Sequence, residues 1–169
     1  ERGGESAVDT PVCDCCQTAV ASTAAGPLLI YRDRTQAEIR DIAVVRLRDG
    51  VWGQPRVLHA DGWKMPACPV NGPAISGEGA GVAAAWYTGA GDSPVVRFAY
   101  SADGGENFSA PLEIDRGKAV LGAVDVTLDS GSAWLAWLRE TPTGQSLWLA
   151  RVARESTHEH QRQQLATIA

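Results

Sequence analysis

The sequence predicts an all-β fold in which one unit of about four short antiparallel strands is used three times. Three observations carry that reading. Laid against itself at a shift of about 50 residues, the chain recurs. Short apolar runs are parted by clusters of Gly, Asp, Pro and Ser, and 18 Gly and 9 Pro supply the turns. Helical periodicity is nearly absent: the best window, 155–165, is very polar and reads as a hairpin loop leading into a strand.

Taken in order, the first unit places strands at 18–21, 28–31, 39–47 and 55–58, with Asp49-Gly50 and Trp52 in the last connection. The second places them at 73–75, 82–87, 95–100 and 111–114, and the third at 124–128, 133–137, 147–150 and 163–168. Tyr31, Trp86 and Trp137 hold equivalent places, 55 and 51 residues apart. Four strands in every fifty or so residues is the arrangement of propeller blades. The expectation is therefore a β-propeller segment of about three four-stranded antiparallel blades, at about 12–63, 64–117 and 118–169, behind a disordered leader at 1–11. Three blades cannot close a ring. The chain is thus expected to be half of a six-bladed propeller, with the missing blades of a longer parent as its partners.

Between the third and fourth strands of the second unit lies Ser101-Ala102-Asp103-Gly104-Gly105-Glu106-Asn107-Phe108. The order Ser-x-Asp-x-Gly-x-x-aromatic specifies a hairpin built by side chains. The hydroxyl and carboxylate bond backbone donors, the Gly takes a positive φ, and the ring folds back between sheets. This stretch resembles the Asp-box, or BNR repeat, of sialidase-like β-propellers, in particular the bacterial exo-sialidase-like group. In that family Ser101, Asp103, Gly105 and Phe108 would be structural.

The resemblance implies a carbohydrate-active protein, a glycoside hydrolase or glycan binder, in a periplasmic or extracellular setting. The family's first blade opens on an Arg-Ile-Pro-Ala segment whose Arg holds the substrate carboxylate. Here the matching places hold Cys16, in Cys16-Gln17-Thr18-Ala19, and Asn71, in Asn71-Gly72-Pro73-Ala74. Neither pairs with a carboxylate as a guanidinium does. The nearest charges follow the second strand. Glu38 and Asp41 are the expected acids, and Arg32, Arg34, Arg40, Trp63 and Asn71 the expected substrate contacts of a central pocket. Ion pairing at the rim of a blade is the other reading of the same charges. The family's tyrosine nucleophile and further arginines come from later blades, so hydrolysis by this chain alone is not expected.

The cysteines point elsewhere. Cys13, Cys15 and Cys16 precede the first strand, and Cys68 occupies the matching place before the second. Adjacent blades would bring these positions together, and four thiolates suit Zn²⁺ or Cu(I), with His59 and Met65 as auxiliary ligands. A disulfide between Cys68 and one of the three, or redox chemistry, fits the same spacing. The alternative function is then a non-catalytic propeller acting as a metal-binding or protein-interaction scaffold. His158 and His160 read either as a metal pair or as solvent-facing residues, and Trp52, Trp86, Trp134 and Trp137 as packing residues.

Composition sets the outer bounds. With 44% hydrophobic and 21% charged residues, the chain can bury one sizeable core. A formal net charge of −5 and the lack of any basic run exclude phosphate tracking along nucleic acid. No apolar run approaches the length of a membrane span.

Overall fold

A computed structural model of the chain describes residues 5–154 and 161–168. His158, His160 and the polar loop around them lie outside the described residues. Among the described residues all regular structure is β-strand. The strands are β1 (Ala19–Ala21), β2 (Leu28–Arg32), β3 (Ile42–Arg48), β4 (Val51–Trp52), β5 (Arg56–His59), β6 (Ala74–Glu78), β7 (Gly81–Thr88), β8 (Val95–Ser101), β9 (Leu112–Arg116), β10 (Val120–Asp129), β11 (Ser132–Thr141), β12 (Gly144–Ala153) and β13 (Gln161–Ile168).

They form three antiparallel sheets in consecutive chain order. Sheet 1 runs β1-β2-β3, and β4 and β5 both pair with β3, so its fourth strand is split into two pieces. Sheet 2 runs β6-β7-β8-β9 and sheet 3 runs β10-β11-β12-β13. Each is a meander, in which strands consecutive along the chain pair antiparallel. The β3–β4 turn shows why: Asp49 (φ 51°) and Gly50 (φ 77°) both take positive φ, the backbone of a type I′ hairpin.

The core lies between the sheets. Residues 82–87 form an almost unbroken apolar run because β7 is buried on both faces. Val82, Ala84 and Trp86 join Leu28, Ile30, Ile42 and Val44 of sheet 1. Ala83 and Ala85 join Val124, Val126, Leu135 and Trp137 of sheet 3. Small alanines at these positions let the neighbouring layers close in. The leading strands lie side by side, with β1 against β6, and β10 against β6 and β7. On the far side of sheet 1, Val8 packs with Tyr31, Ala43 and Val45, so part of the 1–11 segment is held against the sheet.

The third unit's first strand begins at Val120, earlier than the apolar pattern suggests. The register shifts between Val120 and Asp125, where Gly122 (φ 85°) and Ala123 (φ 50°) bulge outward. A side chain at Gly122 would run into Asn71, whose amide fills that space.

Candidate functional site

The Ser101–Phe108 hairpin joins β8 to β9 through side-chain bonds. Ser101 Oγ donates to Asp103 Oδ1 (2.7 Å) and accepts from the Gly105 backbone N–H (2.8 Å). Asp103 accepts from the Asn107 backbone N–H (2.9 Å) and from Asn107 Nδ2 (2.8 Å). These donors hold the Asp103 carboxyl far below the usual carboxylate range. Gly105 has φ 90°, and a Cβ there would meet Leu28. Phe108 packs against the core shared with sheet 1. Arg46, buried on β3, donates to the Gly104 carbonyl and pairs with Glu106 (2.9 Å). The hairpin therefore also fastens sheet 2 to sheet 1.

The other expected site residues gather at one end of sheet 1, where β2 passes to β3 and the chain crosses to sheet 2. Val12 bridges to Asp33, and Cys13 N–H donates to the Arg32 carbonyl (3.1 Å). Ile39 bridges to Lys64, and Arg40 N–H donates to the Trp63 carbonyl (2.8 Å). The cysteine turn, the 33–41 loop and the 61–73 crossover are thus laced together by backbone bonds.

Four of the expected substrate contacts face inward. Arg32 is 2% exposed. Its guanidinium donates to three backbone carbonyls: Asn71 (2.7 Å), Arg40 (2.5 Å) and Tyr87 (2.6 Å). It also lies over the Trp63 ring, 4.8 Å from the centroid. Trp63 is 6% exposed and meets Tyr87 edge-on, which leaves no open ring face for a sugar. Asn71 accepts from Ala123 N–H (2.9 Å) and donates to the Leu121 carbonyl (3.2 Å), which ties sheet 2's opening to sheet 3's. Gln17 makes the corresponding tie one sheet earlier, accepting from Gly72 N–H at 2.8 Å. Arg40 is buried as well and donates to the Met65 carbonyl (3.1 Å).

The two expected acids are clamped. Glu38 is gripped by Arg34 and by Arg40, both at 2.8 Å. The Arg34 hydrogen bond, with charge attraction from both arginines, holds its carboxyl below the usual range. Asp41 is buried and accepts from Gly62 N–H and Trp63 N–H, each at 3.1 Å. A general acid needs its proton near neutral pH. A carboxyl with a depressed pKa and one spent on two backbone amides are poorly matched to that task.

All four cysteines meet beside this loop. Cys15 and Cys68 form a disulfide with Cα atoms 6.2 Å apart, whereas Cys13 and Cys16 are free. Cys13 Sγ lies 3.6 Å from Cys15 Sγ, and the sulfurs of Cys13, Cys15 and Cys16 lie within 4.8 Å of one another. Burial, together with the neighbouring Cys13 sulfur, pushes the Cys16 thiol up to about 11. His59 instead sits near Trp86 and Asp61.

Sequence reasoning missed a set of acidic partners. Tyr31 Oη donates to Asp9 (2.5 Å), Trp86 Nε1 to Asp61 (2.8 Å) and Trp137 Nε1 to Asp115 (2.8 Å). The available signal was an Asp standing 22 to 25 residues ahead of each recurrent aromatic. Among the described residues no helix is long and apolar enough to cross a membrane. Compared with models of known protein families the chain matches none, and curated proteins likewise give no match.

Proposed function

We propose that the three sheets are consecutive blades of a sialidase-like β-propeller and that this chain binds glycans without hydrolysing them. The observation that carries the reading is the Asp-box. Its Ser101, Asp103, Gly105 and Phe108 make the bonds and packing that the motif calls for, at the third hairpin of a four-stranded meander. The sandwiching of sheet 2 and the adjacency of the leading strands support the blade reading. The carbohydrate class follows from the family resemblance. The restriction to binding follows from the clamped Glu38 and Asp41. Half-exposed Arg34 and Glu38 are the groups at this end best placed to meet a polar ligand. The Cys15–Cys68 disulfide favours an oxidising, periplasmic or extracellular setting.

Saturation-transfer NMR with sialylated and neutral oligosaccharides, run beside turnover of a fluorogenic sialoside, tests this function. Glycan signals that weaken in Arg34→Ala, with no turnover, are the expected result. Turnover would restore the hydrolase reading, and absence of transfer from every glycan would sink the carbohydrate assignment.

A further inference from the structure

Two segments of chain deliver four sulfurs to one spot, although Cys15 and Cys68 are 53 residues apart. The Cys13–Cys15 separation of 3.6 Å and the 4.8 Å limit on all three sulfurs of the first segment are the relevant dimensions. In a tetrahedral four-thiolate zinc centre, with Zn–S near 2.3 Å, neighbouring sulfurs stand about 3.8 Å apart. The cluster is already close to that spacing, and its fourth sulfur is bonded to one of the other three.

We propose that, once the Cys15–Cys68 disulfide is reduced, Cys13, Cys15, Cys16 and Cys68 hold one soft d¹⁰ cation, Zn²⁺, and that the disulfide closes this site under oxidising conditions. The surroundings suit such a centre. Zn²⁺ with four thiolates carries a net charge of two minus, and the buried Arg32 guanidinium is electrostatically coupled to Cys13 and Cys16. Cys68 is exposed and Cys16 half-buried, so both reductant and ion can reach the sulfurs. The turn is braced by Cys13 N–H on the Arg32 carbonyl.

The chemistry balances in two steps. A dithiol reductant gives two electrons and two protons. Its own sulfurs close into a cyclic disulfide as the Cys15–Cys68 bond opens to two thiols. Zn²⁺ then forms four Zn–S bonds while four thiol protons leave to solvent, with no electron transferred.

The test uses the full chain, oxidised or reduced, cleared of reductant under inert gas and titrated with Zn²⁺ alone or with Co²⁺ as the spectroscopic probe. One Zn²⁺ per reduced chain and none per oxidised chain are expected by native mass spectrometry. Co²⁺ should add thiolate charge-transfer absorption and tetrahedral d–d bands. The double substitution Cys13→Ser, Cys16→Ser, which leaves the disulfide pair intact, should weaken Zn²⁺ binding by at least the roughly 100-fold that losing an outer-shell partner can cost. If that variant does not fold, the reduced-against-oxidised comparison on the wild-type chain decides. No Zn²⁺ on the reduced chain, equal binding by the oxidised chain, or equal binding by the double variant overturns the proposal. So does metal uptake without the native near-UV circular dichroism, because the ion would then be held by an unfolded chain.

Discussion

Trp86 Nε1 donates a 2.8 Å hydrogen bond to Asp61 Oδ2, tying the second strand of sheet 2 to the chain that leaves sheet 1. Trp137 makes the same bond to Asp115 across sheets 2 and 3. Each acceptor is also paired with arginine: Asp61 with Arg97 at 2.8 Å, and Asp115 with Arg139 at 2.5 Å. In the second and third units the repeat is therefore both a strand pattern and an inter-sheet latch, in which an aromatic donor and a guanidinium share one buried carboxylate.

Trp86→Phe keeps an aromatic ring at a fully buried position but removes the donor and leaves a gap. The lost bond to a charged acceptor costs about 1.5–3 kcal/mol, and the cavity adds to it. Urea denaturation should show a lower midpoint at an unchanged slope. An unchanged midpoint would mean that Arg97 alone satisfies Asp61.

The Ser101–Phe108 hairpin carries an acid-sensitive contribution. Asp103 is depressed chiefly by the Asn107 backbone N–H, then by Ser101 and the Asn107 side chain. The unfolded carboxyl, ordinary at about 3.9, takes up its proton before the folded one does. Stability from this group is thus complete above that range and drains away as pH falls towards the folded pKa. Asp103→Asn should flatten the loss of stability between neutral pH and about pH 3. A variant that loses stability as steeply as wild type would place the acid sensitivity elsewhere.

Much of this architecture was readable because its causes are local. Period-2 burial, an Asp-Gly turn and the Ser-x-Asp-x-Gly order act within a few residues, so strands and hairpins fell close to their expected places. The equivalence of Tyr31, Trp86 and Trp137 was visible too. Their carboxylate partners were not, since Asp9, Asp61 and Asp115 are brought up by sheet stacking. Side-chain direction was the other hidden quantity. Arg32, Trp63 and Asn71 have the chemistry of ligand contacts, yet the crossover between sheets needs its carbonyls and amides satisfied and turns all three inward. Cys68 could pair with any of the three clustered cysteines, so only their three-dimensional placement could single out Cys15.

Glu38 offers a direct reading of whether this end can do acid catalysis. Arg34 supplies the larger part of the downward shift and Arg40 the rest. Carbon-detected NMR titration should find its carboxyl below the ordinary value of about 4.3, moving up when Arg34 is replaced by Ala. Because the folded pKa is depressed, these ion pairs contribute above that value and are lost as acid protonates the carboxyl. A value near neutrality would instead match a proton donor to a leaving oxygen.

The Cys15–Cys68 bond should stabilise the chain chiefly through its unfolded state. It closes a loop with a sequence separation of 53 residues, for which the chain-entropy relation gives about 4 kcal/mol at 25 °C. Reduced protein held in chelator should therefore unfold at a markedly lower urea concentration than oxidised protein. Most of the change should lie in the midpoint, with a somewhat larger slope as the freed unfolded chain expands. Adding Zn²⁺ to the reduced chain should recover stability in proportion to the logarithm of free metal above its dissociation constant, because the ion binds the assembled four-sulfur cluster. Oxidised protein, with two of its sulfurs joined, should show no such dependence. Equal stability of oxidised and reduced chains in chelator would mean that the unfolded ensemble already keeps the two cysteine segments close, and the entropy argument would then fail for this loop.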